Sequence, residues 1–129
     1  MLEEFFKEFH EELMKVPSEF VVLFMSGKML GKNYSNKAKN FDSLKKIFED
    51  KKLGKLTLKT ENKKEKEFVF KLDDTAFKTK LKKSSCYVVA GILAGFVENH
   101  HRKYAGATET KCVSKGDSHC QFLVKVIGQ

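Results

Sequence analysis

Hydrophobic positions recur at helical spacing from the first residues onward: Leu2, Phe5, Phe6, Phe9 and Leu13 share one face, with Glu3, Glu4, Glu8, Glu11 and Glu12 opposite. This pattern predicts an amphipathic helix over residues 1–16, ended by Pro17, whose ring and missing N–H do not suit a helix interior. Its apolar face must be covered, either by the chain's own core or by a partner subunit. A second helix is predicted from Ser18, as its cap, to about Tyr34. Glycine inside a helix costs about 1 kcal/mol against alanine. Gly27 and Gly31, one turn apart in this helix, therefore imply a close approach of another helix or of a ligand, or else a break. Asp42 opens a third helix, Ser43 to Lys52, with Leu44, Ile47 and Phe48 inward and Gly54 as its C-cap.

The period then falls to two. Leu56 and Leu58 alternate with polar neighbours and, after the charged run Glu61–Glu67, so do Phe68, Phe70 and Leu72, which describes two antiparallel strands joined by a solvated turn. Asp73-Asp74 stands at a strand end and reads as a turn or cap. From about Ser84 to Lys103 the chain is apolar nearly all round until Glu98, so this helix should be buried on several sides. Ala90, Gly91, Ala94 and Gly95 make two rows of small residues along it. Those rows either permit tight packing, on the sheet or against Gly27 and Gly31, or else Gly91, Gly95, Gly27 and Gly31 wall a hydrophobic pocket. His100 and His101 close the helix as surface residues. Strands Ala107–Val113 and His119–Ile127 complete an α/β fold of the α+β type, helices packed on a four-stranded antiparallel sheet, in a single domain spanning 1–129.

Charge changes this picture little. The formal net charge of +8 raises the question of nucleic acid. Yet all but one of the 25 basic residues are lysine, Arg102 being the exception, and lysine lacks the planar fork that reads phosphates and guanines bidentately. The phenylalanines follow the periodicity of a core and do not alternate with bases. The sequence argues against specific nucleic-acid binding. Lysine and glutamate enrichment with two Gln and one Pro is the composition of proteins from hot organisms. No apolar run reaches the roughly 20 residues of a membrane span, since Glu98 ends the run Tyr87–Val97.

Candidate chemistry lies in the C-terminal third, where all three cysteines join a glutamate in the order C-x22-E-x2-C-x7-C: Cys86, Glu109, Cys112 and Cys120. Thiolate sulfur is soft and charged, and three thiolates with one carboxylate or imidazole complete the tetrahedral shell of a zinc ion. Gly116-Asp117 can turn the backbone and return Cys120 to Cys112 as a β-hairpin, while only folding can bring Cys86 there. Glu109 and Cys112 are three positions apart, an odd separation that puts side chains on opposite faces of a regular strand. A shared metal therefore demands a bulge, at Thr110-Lys111. His119 competes with Glu109 for the fourth place, and Lys111 and Lys115 could offset the negative charge of the site. The alternatives are three buried free thiols or, less readily, a disulfide. An odd cysteine count and no secretory signal point to a reducing, cytoplasmic compartment. A catalytic zinc keeps an open position, whereas here four donors close the shell. No Ser-His-Asp set, phosphate-cradling glycine loop or dinucleotide fingerprint accompanies it.

The stretch Cys86–Phe96, followed by Glu109-x-x-Cys112, Gly116-Asp117 and Cys120-x-Phe122, resembles the signature of the 4-vinyl reductase domain family. The resemblance is specific over residues 86–127 and looser over 18–75. That family includes predicted hydrocarbon-binding proteins, the sensor domain of phenol-responsive transcriptional activators and a protein linked to bacteriochlorophyll vinyl reduction. Its fold is similar to that of subunits of the TRAPP tethering complex. The resemblance implies zinc on Cys86, Glu109, Cys112 and Cys120. It also implies a non-catalytic, zinc-stabilised module that binds or senses a small hydrophobic molecule, forms a homodimer, and signals through a separate partner. The sensors' phenol-contacting Trp and His have no counterpart here, where no Trp occurs. Two other roles within the resemblance are an assembly or tethering subunit and an accessory to tetrapyrrole vinyl reduction, the latter resting on the family's name alone.

Overall fold

Two hairpins build the sheet. The computed structural model describes residues 2–15, 18–73, 82–112 and 116–127. They form α1 (Leu2–Lys15), α2 (Ser18–Lys37), α3 (Phe41–Asp50), β1 (Lys55–Asn62), β2 (Glu67–Asp73), α4 (Lys82–His101), β3 (Ala105–Lys111) and β4 (Cys120–Val126). β1 pairs with β2 and β3 with β4, and an antiparallel β2–β4 contact joins the hairpins in the order β1-β2-β4-β3. Period-two patterning decides which face is covered: Leu56, Phe68, Phe70, Leu72, Ala105, Phe122, Val124 and Val126 are buried on one side, while Thr57, Thr108 and Lys125 point outward and are exposed. The result is the expected α+β arrangement of helices on a four-stranded antiparallel sheet.

The α4 helix lies on the buried face, against β3 and β4, and α2 packs on its far side. Residues 89–97 are accordingly buried without interruption, as a helix apolar on every side requires. The two helices run in the same direction, because Phe20 meets the Tyr87 ring at 5.0 Å near their starts and Asn36 bonds Asn99 at 3.2 Å near their ends.

Their crossing explains the glycines. A Cβ on Gly27 would overlap the carbonyl oxygen of Val88, one on Gly31 that of Ile92, one on Gly91 that of Phe24 and one on Gly95 that of Lys28. Backbone therefore fills the space that the missing side chains leave. This corrects the assignment of Gly27, Gly31, Gly91 and Gly95 to a pocket wall. They let two helices approach closely enough for Cα–H groups to face carbonyls across the interface.

Where α2, α4 and β3 meet, a lysine is enclosed. Lys28, only 4% exposed, places Nζ 2.7 Å from Glu98 Oε2 and 3.9 Å from the centre of the Tyr104 ring. The other Glu98 oxygen accepts from Lys32 at 3.0 Å, and Oε2 also accepts the Ala105 N–H at 3.1 Å. Burial pushes the Glu98 carboxyl up, but the Lys28 ammonium, the Ala105 N–H and Lys32 together outweigh it and hold the group below the usual carboxylate range.

The third helix departs from expectation at both ends. Its N-cap is Asn40, whose Oδ1 accepts from Ser43 N at 2.9 Å, so the helix begins at Phe41 and not at Asp42. At the other end Lys52 N bonds Glu49 O at 3.0 Å and Leu53 N bonds Phe48 O at 2.8 Å, the pair of bonds that defines a Schellman turn. The residue in the left-handed conformation is Lys52, at φ 59°, and not Gly54. Leu44 and Phe48 are buried as expected, and Phe41 packs its ring within 5.2–5.7 Å of Phe68, Phe70 and Phe96.

Leu2, Phe5 and Phe6 on α1 are exposed, and so are Val22, Met25 and Met29 along the outer side of α2. Among the described residues no helix is long and apolar enough to cross a membrane. Pro17, Asp74, Val113 and Lys115, which carried expectations above, lie outside the described residues.

Candidate metal centre

Three elements converge at one end of the sheet. Cys86 stands one turn into α4, Glu109 lies on β3, Cys112 follows that strand, and Cys120 opens β4. Their four ligand atoms lie within 4.8 Å of one another, with all three cysteines buried. Cys86 Sγ is 3.5 Å from Cys112 Sγ and 3.7 Å from Cys120 Sγ. A tetrahedron of 2.3 Å metal–sulfur bonds has edges of about 3.8 Å, so the sulfurs are spaced as such a shell requires. Glu109 Oε2 is buried without a hydrogen-bond partner among the described residues, a position that a carboxylate occupies at a cost unless a cation or donor meets it.

The backbone supplies the irregularity that the spacing demanded. Glu109 opposes Phe122 and Lys111 opposes Gln121, so the register shifts between them and Thr110 is the extra residue. That shift turns Cys112 onto the face that Glu109 shares with Phe122. Thr110 fastens the bulge from outside: its Oγ1 donates to Gln121 O at 3.3 Å and receives Gln121 Nε2 at 3.2 Å.

One positioning residue carried no metal-related signal in the sequence beyond its place in a turn. Asp117 accepts the Cys112 N–H on Oδ2 at 2.9 Å and returns its own N–H to the Cys112 carbonyl at 3.2 Å. This two-way clasp fixes the backbone of one donor from within the hairpin loop, with Gly116 at φ 96° making the turn. His119, the competitor for the fourth place, is not among the four converging donors. Its Nδ1 lies 3.0 Å from Ser118 Oγ, and its Nε2 is buried without a partner among the described residues.

Electrostatics agree with a site built for a cation. Hydrogen bonding to Cys120, burial and the neighbouring Glu109 carboxylate all push the Cys86 thiol far above the ordinary thiol range. Four potential anions so close cannot all ionise unless positive charge stands among them, and a bound divalent ion reverses that preference. The donor set suits a thiophilic metal. Lys111 is exposed on the rim, and His100 and His101 are exposed at the far end of α4.

Similarity to known proteins centres on the same part of the chain. The family model of the vinyl-4-reductase domain matches residues 73–126, a span that contains all four donors. An uncharacterized protein of Methanocaldococcus jannaschii is 32% identical over 91% of this chain and 62% of its own length; this chain thus spans less than two thirds of that relative. The solved trafficking protein particle complex subunit 3 of Naegleria fowleri, covalently bound to palmitic acid, is 13% identical with TM-score 0.60 over 98% of this chain and 92% of that one. The phenol-responsive sensory domain of the transcription activator PoxR, solved with phenol, is 18% identical with TM-score 0.68 over 81% and 63%. At those identities the likeness is one of fold. A vinyl-4-reductase family protein from M. jannaschii, solved at 1.90 Å, is 30% identical with TM-score 0.66, covering 82% of this chain and 68% of that one. With that identity over most of a solved relative, and the family model laid over α4 and the hairpin that carry the four donors, this chain belongs to the vinyl-4-reductase domain family.

Proposed function

We propose that this chain is a non-catalytic, zinc-stabilised module that binds or senses a small hydrophobic molecule. The observation that carries the reading is the closed set of four donors, Cys86, Glu109, Cys112 and Cys120, gathered within 4.8 Å. Such a set leaves no coordination position for substrate or water, so the metal's work is to hold α4 to the hairpin. Support for a small apolar guest comes from two fold neighbours, one solved with phenol and one with palmitic acid. Since Gly27, Gly31, Gly91 and Gly95 are occupied by backbone, the guest is not seated at the α2–α4 crossing.

The reading includes a homodimer, formed through α1. That helix offers Leu2, Phe5 and Phe6 to solvent and carries Glu3, Glu4, Glu8 and Glu11 against a single described lysine, Lys7, on a chain whose net charge is +8. An acidic, apolar helix suits a basic second copy, and two-fold pairs are the commonest assemblies. The same exposed face supports a second reading, an assembly subunit that uses this fold to pair with other chains.

Native mass spectrometry of protein purified without chelator tests these points together. One zinc per chain, a mass of twice 14.8 kDa and a retained apolar ligand are expected. Cys112→Ser or Cys120→Ser should lose the zinc, and Glu109→Gln should weaken it less, because an amide oxygen still coordinates. Full zinc occupancy in Cys112→Ser contradicts the site, and equal loss from His119→Ala gives the fourth place to histidine. A dimer that never carries or binds an apolar molecule favours the assembly reading.

A further inference from the structure

The far end of α4 holds a second feature, with no part in the metal centre. Arg102 follows Cys86 by 16 residues, or about 24 Å along a helix axis. Here a surface cavity of about 260 Å³ is lined by Lys32, Glu98, Asn99, Arg102, Lys103 and Tyr104. Its charge is one-sided. The single carboxylate, Glu98, is already engaged on both oxygens by Lys28, Lys32 and the Ala105 N–H. Arg102 has no ion pair among the described residues. Lys103 stands within hydrogen-bonding reach of the Lys66 ammonium, which lowers its pKa. Cations crowded in this way repel one another until an anion comes between them.

Arg102 is conspicuous for two reasons. It is the one arginine among 25 basic residues, and it holds φ at 53°, in the left-handed region where glycine or asparagine usually ends a helix. A cation near a helix C-terminus is favourable, but any of the chain's lysines would serve that purpose. A guanidinium adds five donors in one plane, matched to two oxygens of a single oxyanion. The exposed Tyr104 ring walls the same cavity and carries the Lys28 ammonium against one face.

We propose that this cavity binds a phosphate group, with Arg102 gripping two oxygens and Lys32 and Lys103 supplying further positive charge. Its volume lies just below the roughly 300–1,000 Å³ of pockets for drug-sized ligands. The guest is accordingly a small phosphorylated molecule, or the phosphate head of a larger one. Because the site is remote from Cys86, the proposal stands apart from the zinc-module reading.

The test is a ¹H–¹⁵N NMR titration of the full chain at low ionic strength, first with inorganic phosphate and then with phenyl phosphate. Saturable shifts confined to the Arg102 side chain, Tyr104 and Ala105 are expected. Arg102→Lys keeps the charge but loses the fork, and should weaken binding by about tenfold or more. Arg102→Gly suits the left-handed backbone, so it should weaken binding equally while Tm stays level or rises. Unchanged affinity in either variant overturns the proposal, as do shifts spread evenly over the lysines or no saturation at all. Phosphatidylcholine vesicles containing phosphatidic acid separate the two sources of the group. Vesicle binding that Arg102→Gly abolishes and soluble phosphate displaces identifies a lipid head, whereas phosphate binding without vesicle binding identifies a soluble guest.

Discussion

Replacing Gly95 with alanine separates a packed helix crossing from a cavity wall. In a cavity, the new methyl would meet open space and the helix would gain about 1 kcal/mol from alanine's better propensity. At the crossing, the methyl lands on Lys28, with that residue's carbonyl carbon at 2.8 Å and its Cα at 3.0 Å, whereas ordinary contact begins near 3.4 Å. Backbone cannot rotate aside as a side-chain tip can, so α2 and α4 must part by more than half an ångström. A gap of that size forfeits about a quarter of the dispersion energy of each atom pair that it opens. Overpacking of this kind costs roughly 1–3 kcal/mol and more when backbone must move. Net of the propensity gain, a loss of about 1–2 kcal/mol follows, or some 3–10 °C in Tm for a domain of this size. Thermal unfolding of Gly95→Ala beside Gly106→Ala provides the measurement, since a Cβ on Gly106 meets only Ile127 Cδ1 at an ordinary 3.6 Å. A Gly95→Ala protein more stable than wild type would refute the packing argument.

Three further outcomes follow from contacts described above. Glu98→Gln leaves the Lys28 ammonium buried without its counter-charge and should cost about 3 kcal/mol or more by denaturant unfolding. Because the folded-state pKa of Glu98 is depressed, its contribution is present above the ordinary glutamate value near 4.3 and is lost as pH falls through the folded value. Wild type should therefore lose stability below about pH 4, and Glu98→Gln should lack this component of the acid slope. Asp117→Ala releases the backbone of Cys112 and should lower metal affinity about 10- to 100-fold in a competition titration, with the four donors intact. Lys52→Gly places glycine where φ is 59° and should raise stability by up to about 1 kcal/mol in the same unfolding assay.

Periodicity carried most of the architecture, because each amphipathic pattern has one way to hide its apolar side. The run Leu56 to Leu72 gave its two strands at the right places, and the all-apolar stretch before Glu98 gave the central helix. Spacing gave the metal candidates, and even the bulge, since an odd separation between Glu109 and Cys112 is incompatible with a shared ligand on a regular strand. Local signals failed where two residues offered the same backbone function. Asn40 outcompeted Asp42 for the cap, and Lys52 adopted the left-handed turn two residues before Gly54. The glycine rows were visible, but whether a ligand or a helix filled them depended on the facing surface, which no linear pattern records. Lys28 was hidden for a related reason: a lysine in a helix reads as solvated unless Glu98 and Tyr104, some 70 residues away, are known to enclose it.

The strand order has a consequence for the timing of folding. β4 follows every other element described, yet it stands between β2 and β3 with a neighbour on each side. As the chain leaves the ribosome, β1 and β2 can close as a hairpin, but the outer edge of β2 has no mate until Cys120–Val126 emerges. The inner surface of α4 stays partly uncovered until then, and Cys86 waits for the last of its companions, Cys120, on the same late segment. An unpaired edge and an open apolar helix are what chaperones and aggregation both act upon. Nascent chains stalled before residue 120 should therefore be protease-sensitive as a whole, with protection arriving in one step once β4 is clear of the exit tunnel.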